Sequence, residues 1–173
     1  MIVWLIGLSG AGKTTIGRRM YEKVKPEISN LIFLDGDILR DVWGDSLGHT
    51  IEARNVNAHR ISNLCLMLDK QGIHVIGAVL SIFPEWQSWN RQNFSQYFEV
   101  YLDAPMDLLR SRDSKGLYAG AEAGNIENVV GVDLPFPPPV SPDMTLGKDI
   151  LSQSPDLISD MIIKALPPGL GKP

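Results

Sequence analysis

A single cysteine, Cys65, occurs in the 173 residues, so no disulfide can close within the chain. That scarcity sets the expectation of a reducing, cytoplasmic compartment. Cys65 lies among Leu64, Leu66 and Met67, which suits a small buried hydrophobe better than a nucleophile. No apolar run approaches the roughly 20 residues of a membrane span. No signal peptide is visible either, since Met1 leads straight into a strand-like segment. The net charge of −4 argues against a nucleic-acid or membrane partner. Internal repeats and a second domain are also missing. What is there, 44% hydrophobic and 21% charged residues, suffices for one globular domain with a full core.

The most informative segment comes first. Ile2 to Ile6 is a short β-branched apolar run, the pattern of a buried parallel strand. Directly after it stands Gly7-Leu8-Ser9-Gly10-Ala11-Gly12-Lys13-Thr14-Thr15, with the spacing of a Walker A loop. Glycines let successive backbone N–H groups turn inward around a phosphate. Lys13 can reach the β- and γ-phosphates, and the Thr14 hydroxyl can ligate Mg²⁺. A helical pattern from Thr14 to Val24 adds the positive end of a helix to the same place. Strand, loop and helix occur in the order the motif requires.

Strand and helix patterns then alternate. Strands are expected at Leu31–Leu34, Ile73–Leu80, Phe98–Leu102 and Met144–Leu146. Helices are expected over Ile38–Trp43, Ile51–Lys70 with a stop at Gln71-Gly72, Pro84–Phe94, Met106–Arg112 and Ile158–Ala165. This order predicts an α/β P-loop fold, a mostly parallel sheet with helices on both faces. One P-loop domain is expected over residues 1–166 and a flexible tail over 167–173. Residues 113–142 are rich in Gly, Pro and small residues without a long periodic face, which reads as a mobile lid. In such folds ligands bind beyond the carboxyl ends of the strands. The P-loop, Asp35-Gly36-Asp37, Ser81 and Asp103 all follow strand ends and are expected on one rim.

Asp35 and Asp37 beside a phosphate loop can serve Mg²⁺ and a hydroxyl nucleophile. A turn with a helix cap on Asp37 is the alternative meaning. Arg40 follows one helical turn later, and Arg54, Asn57 and Arg60 line one helix face. Arginine suits bidentate capture of phosphate or sulfate, although a solvated face has the same spacing.

Taken together, these motifs resemble the adenylylsulfate kinase family. Gly-Leu-Ser-Gly-Ala-Gly-Lys-Thr-Thr, Leu34-Asp35-Gly36-Asp37 with Arg40, Arg54-Asn55-Val56-Asn57 with Arg60, Glu99-Val100-Tyr101 and Arg112-Asp113-Ser114-Lys115-Gly116-Leu117-Tyr118 carry the likeness, from the P-loop to about Leu146. The resemblance implies transfer of the γ-phosphoryl group of MgATP to a nucleotide ribose 3′-hydroxyl. It assigns Gly7, Ser9, Gly10, Ala11, Gly12, Lys13, Thr14, Thr15, Arg112 and Lys115 to ATP. Thr14 and Asp35 are assigned to Mg²⁺, with Lys13 and Asp35 catalytic. Asp37, Arg40, His49, Arg54, Asn57, Ser81 and Val129 are assigned to the acceptor. ATP and a nucleotide acceptor are the expected partners, and a homodimer is an assembly to be tested.

Departures from the family pattern concentrate at the acceptor. His49 and Val129 stand where the family carries the two Phe residues that sandwich adenine. Aromatic–base stacking contributes roughly 1–3 kcal/mol per base, and Val cannot stack. Leu80-Ser81-Ile82-Phe83-Pro84-Glu85 keeps the family's Ser but loses its following Pro and Arg. Ala119-Gly120 replaces paired lysines. On family frequency adenylylsulfate is the first expectation for the acceptor. Asn128-Val129-Val130-Gly131-Val132-Asp133 and the Leu-Ser-Ile-Phe segment resemble cytidine diphosphoramidate kinase of capsule biosynthesis, the alternative. No Asn-Lys-x-Asp guanine motif is present, which excludes a P-loop GTPase, and intact Lys13, Thr14 and Asp35 argue against a non-catalytic nucleotide-binding module.

Overall fold

A computed structural model describes residues 1–44 and 47–169. Five parallel strands form its sheet: β1 (Ile2–Ile6), β2 (Leu31–Asp35), β3 (His74–Val79), β4 (Tyr97–Leu102) and β5 (Met144–Leu146), in the spatial order β2-β3-β1-β4-β5. All five residues of β1 are buried, as the central place of that strand requires. Its side chains alternate between two cores. Val3 and Leu5 join Ile76, Val100 and Leu102 beneath helices α1 (Lys13–Val24) and α8 (Pro155–Ala165), which contribute Ile16, Met20, Ile158 and Ile162. Ile2, Trp4 and Ile6 join Val75 and Val79 on the opposite face. There α3 (Ile51–Lys70) supplies Ile61 and Cys65, and Phe94 closes the end of α4 (Pro84–Asn93). The expected doubly covered parallel sheet is therefore present. Cys65 is fully buried, and desolvation pushes its thiol up to about 12, consistent with a packing role.

The remaining helices are α2 (Gly36–Val42), α5 (Met106–Ser111), α6 (Leu117–Glu122) and α7 (Lys148–Leu151). Helix α8 begins a turn earlier than its apolar pattern predicts. The Ser154 side chain accepts from the Leu157 N–H and Pro155 occupies the first turn, so the cap sets the start. Helix α6 falls inside the segment read as structureless. Its first turn is held by Asp113, whose carboxylate accepts from the N–H groups of Leu117, Tyr118 and Ala119. Short helices of this kind have too few residues to show a period. Of the expected tail, 170–173 lie outside the described residues. Among the described residues no helix is long and apolar enough to cross a membrane.

Candidate active site

The first βα turn builds the phosphate cradle. Gly7 follows β1, and a Cβ there would stand 2.8 Å from the Leu102 carbonyl oxygen, so only glycine lets the loop leave the sheet at this point. Gly12 precedes α1 with φ of 99°, a left-handed conformation that L side chains rarely adopt. Lys13 then folds back over the loop. Its ammonium donates to the carbonyls of Gly7 at 2.7 Å and Leu8 at 2.8 Å. Burial of the ammonium lowers its pKa to about 8, against the opposing attraction of Asp37 and Asp35.

The second βα turn meets the first. Asp35 caps α2, its Oδ1 accepting from the N–H groups of Asp37 at 2.9 Å and Ile38 at 3.4 Å. Its Oδ2 accepts from the Thr14 hydroxyl at 2.5 Å. The helix cap falls on Asp35 rather than on Asp37 as the sequence suggests, because the Asp35 carboxylate reaches the first N–H groups of α2, and the same residue also faces the P-loop. A hydroxyl and a single carboxylate are hard oxygen donors of the kind Mg²⁺ takes when phosphates and water supply its remaining ligands. Among the described residues no cluster of three His, Cys, Asp or Glu is arranged to hold a metal by itself.

The segment after α5 reaches both sides of this mouth. Tyr118, 1% exposed, donates its hydroxyl to the Ser9 carbonyl at 2.8 Å, fixing α6 on the P-loop. A cavity of about 60 Å³ lies between Ser9, Gly10, Arg112, Asp113, Ser114, Lys115 and Tyr118, so Arg112 and Lys115 do stand beside the loop. Arg112 also donates to the Leu151 carbonyl at 2.7 Å. Lys115 reaches past the loop and pairs with Asp37 at 2.9 Å. Burial alone would raise the Asp37 carboxyl, but Lys115, with Lys13 and Arg40, more than offsets this and holds it below its ordinary value. Both side chains of the pair are largely exposed, so it contributes little to stability.

On the acceptor side, two arginines tie loops together. Arg40 donates to the Gly48 carbonyl at 3.0 Å. Arg54 donates to the carbonyls of His49 at 2.9 Å and Asn128 at 2.8 Å, joining the start of α3 to the segment after α6. The Asp133 carboxylate accepts from the N–H groups of Asn128 and Val129 and supports Asn128 at φ 63°. Asn57 is 8% exposed, and its Oδ1 is buried without a partner among the described residues, the kind of orphaned acceptor that a bound donor satisfies. Val129 is placed differently from the expectation of a pocket wall. Its side chain is 2% exposed and packs in the core with Ala11, Leu109 and Tyr118, because the turn capped by Asp133 points it inward. A larger open cleft of about 760 Å³, lined by Trp43, His59, Arg60, Asn63 and Leu64, carries none of the P-loop or Asp35 groups.

Sequence reasoning singled out neither Tyr118 nor Asp113 for a role. Nor did it notice that Trp4 and Gln87 contact Ser81. Trp4 Nε1 donates to the Ser81 hydroxyl oxygen at 3.3 Å, and Gln87 Nε2 donates to the Ser81 carbonyl at 2.8 Å. No linear signal links Trp4 to Ser81 across 77 residues, and Gln87, six residues on, is brought back by the turn into α4.

The family model described as adenylylsulphate kinase matches residues 1–147. The cytidine diphosphoramidate kinase of Campylobacter jejuni is 39% identical over 165 residues, covering 95% of each chain. The adenylyl-sulfate kinase of Gloeothece citriformis is 36% identical over 148 residues, covering 86% of this chain and 84% of its own. Among solved structures, an APS kinase of Mycobacterium tuberculosis in complex with AMPPNP and APS superposes with a TM-score of 0.83 at 31% identity, covering 95% of each chain.

Proposed function

We propose, from the premise that this chain belongs to the adenylylsulphate kinase family and is an ATP-dependent nucleotide kinase, that its acceptor is a cytidine diphosphate derivative of the diphosphoramidate type rather than adenylylsulfate. The observation that carries this reading is the place of Val129. Where the family offers an aromatic face to adenine, this chain has a small aliphatic side chain turned into the core. A pyrimidine needs less stacking area than a purine, and the loss of one platform costs adenine roughly 1–3 kcal/mol, or about five- to 150-fold in affinity. The near-complete overlap with the Campylobacter relative supports the same choice.

The phosphoryl transfer follows from the site. In the reaction the ribose hydroxyl oxygen attacks the γ-phosphorus, the bond to the β-bridging oxygen breaks, and ADP leaves. Lys13 gives up its contacts with the carbonyls of Gly7 and Leu8 for the β- and γ-phosphates. Asp35 orients the attacking hydroxyl and takes its proton late, as the loose transition state of such transfers requires. Thr14 and Asp35 would hold Mg²⁺, which would supply neutralisation of the charge that develops in the transfer. Arg112 and Lys115 cover the ATP side from the lid, while Arg40, Arg54, Asn57 and Ser81 hold the acceptor.

A coupled assay of ADP release with MgATP tests the choice of acceptor. Cytidine diphosphoramidate is expected to give a kcat/KM at least about ten-fold above adenylylsulfate, the value of one lost stack. Equal or better use of adenylylsulfate overturns the reading.

A further inference from the structure

Ser81 is the residue in the site whose backbone has no local explanation. Its φ is +53°, in the left-handed region, yet it is neither Gly nor Asn. It follows β3 at the rim where the other site residues gather. Asp35 pairs with Ala78 in the sheet, and Gly36 packs against the Ala78 carbonyl and Val79. A glycine would provide this turn without strain. A serine kept there at a conformational cost implies a use for its hydroxyl.

Two buried side chains impose the conformation. Gln87, 5% exposed on α4, donates to the Ser81 carbonyl. Trp4, 3% exposed on β1, donates its indole N–H to the Ser81 hydroxyl oxygen. That contact fills an acceptor position on the hydroxyl and fixes its direction. A hydroxyl has one hydrogen to donate. Among the described residues no protein group receives it.

We propose that Gln87 and Trp4 are positioning residues for the acceptor, holding Ser81 in its left-handed turn so that its hydroxyl hydrogen bonds to the bound nucleotide acceptor. Ser81 thereby acts on the acceptor while the P-loop acts on ATP, and the two helpers act only through Ser81. The inference rests on the nucleotide-kinase reading of this rim but not on which base the acceptor carries.

Steady-state kinetics with MgATP and whichever acceptor the wild type phosphorylates better, cytidine diphosphoramidate or adenylylsulfate, test it. Ser81→Gly keeps the turn free of strain and removes the hydroxyl. Gln87→Met keeps the length of the side chain and removes the donor. Each is expected to raise the acceptor KM roughly three- to ten-fold, the value of one hydrogen bond, with the KM for ATP within about two-fold of wild type. Gln87→Met placed on Ser81→Gly is expected to add nothing further. Trp4→Phe, which keeps a ring and removes the N–H, is expected to move the acceptor KM the same way and serves as the probe where Gln87→Met does not fold. An unchanged acceptor KM in these variants overturns the proposal. So does an equal rise in both KM values, or an effect of Gln87→Met that persists undiminished on Ser81→Gly. A wild-type preference for adenylylsulfate overturns the cytidine reading alone, because the variants are compared on the acceptor actually used.

Discussion

Asp35 performs two tasks with its two oxygens, and two substitutions separate them. Oδ1 caps α2 through the N–H groups of Asp37 and Ile38, and Oδ2 faces Thr14 at the P-loop. Asp35→Ala removes both. Loss of such a cap costs about 0.5–2 kcal/mol. For a chain of this size each kcal/mol lowers Tm by about 2–4 °C, so a fall of roughly 1–8 °C is expected. Asp35→Asn keeps a capping oxygen, and Asn caps about as well as Asp, so its Tm is expected within about 2 °C of wild type. It replaces the anionic Oδ2 with an amide nitrogen, which can neither accept a proton nor ligate a metal. Both variants are therefore expected to lose about 10²-fold or more in kcat, the contribution of a positioned base. Differential scanning calorimetry and the coupled kinase assay read the two quantities separately. If Asp35→Asn retained kcat within about ten-fold of wild type, the catalytic assignment would be wrong. Full stability of Asp35→Ala would refute the capping argument.

Two further outcomes follow from the same geometry. The Lys13 ammonium of the free enzyme, lowered to about 8 by burial, loses its proton as pH rises through that value. Affinity for an ATP analogue is expected to be level below about pH 7 and to fall toward ten-fold per pH unit above 8, with one proton taken up on binding; titration calorimetry showing flat affinity to pH 9.5 would contradict this. The unfolded chain keeps that proton up to about 10.5. The cost of burying the charged lysine is thus fully present below pH 8 and is relieved as pH climbs toward 10.5. Tyr118→Phe leaves the Ser9 carbonyl without its donor. That is expected to cost about 1–2 kcal/mol, seen as a Tm lower by roughly 2–8 °C, and an unchanged Tm would mean that α6 is held on the P-loop by packing alone.

The elements legible in the sequence were those with a local cause. β1 is an apolar run, α1 follows glycines whose backbone must turn, and α3 has a long face with Ile61 and Cys65 inward. Helices α6 and α7 were not legible, since six and four residues carry no period. The early start of α8 was written in Ser154-Pro155, but the apolar spacing alone pointed one turn later.

The site divides the same way. By itself the sequence determined the phosphate loop from Gly7 to Thr15, because backbone turns that need glycine and a lysine at fixed spacing are local requirements. It also placed Asp35 at a strand end. Only the tertiary structure brought Asp35 to Thr14, Tyr118 to Ser9, and Trp4 with Gln87 to Ser81, across separations that no periodicity encodes. It alone turned Val129 into the core, because the direction of that side chain is set by the backbone turn that Asp133 caps from four residues on, rather than by the character of valine.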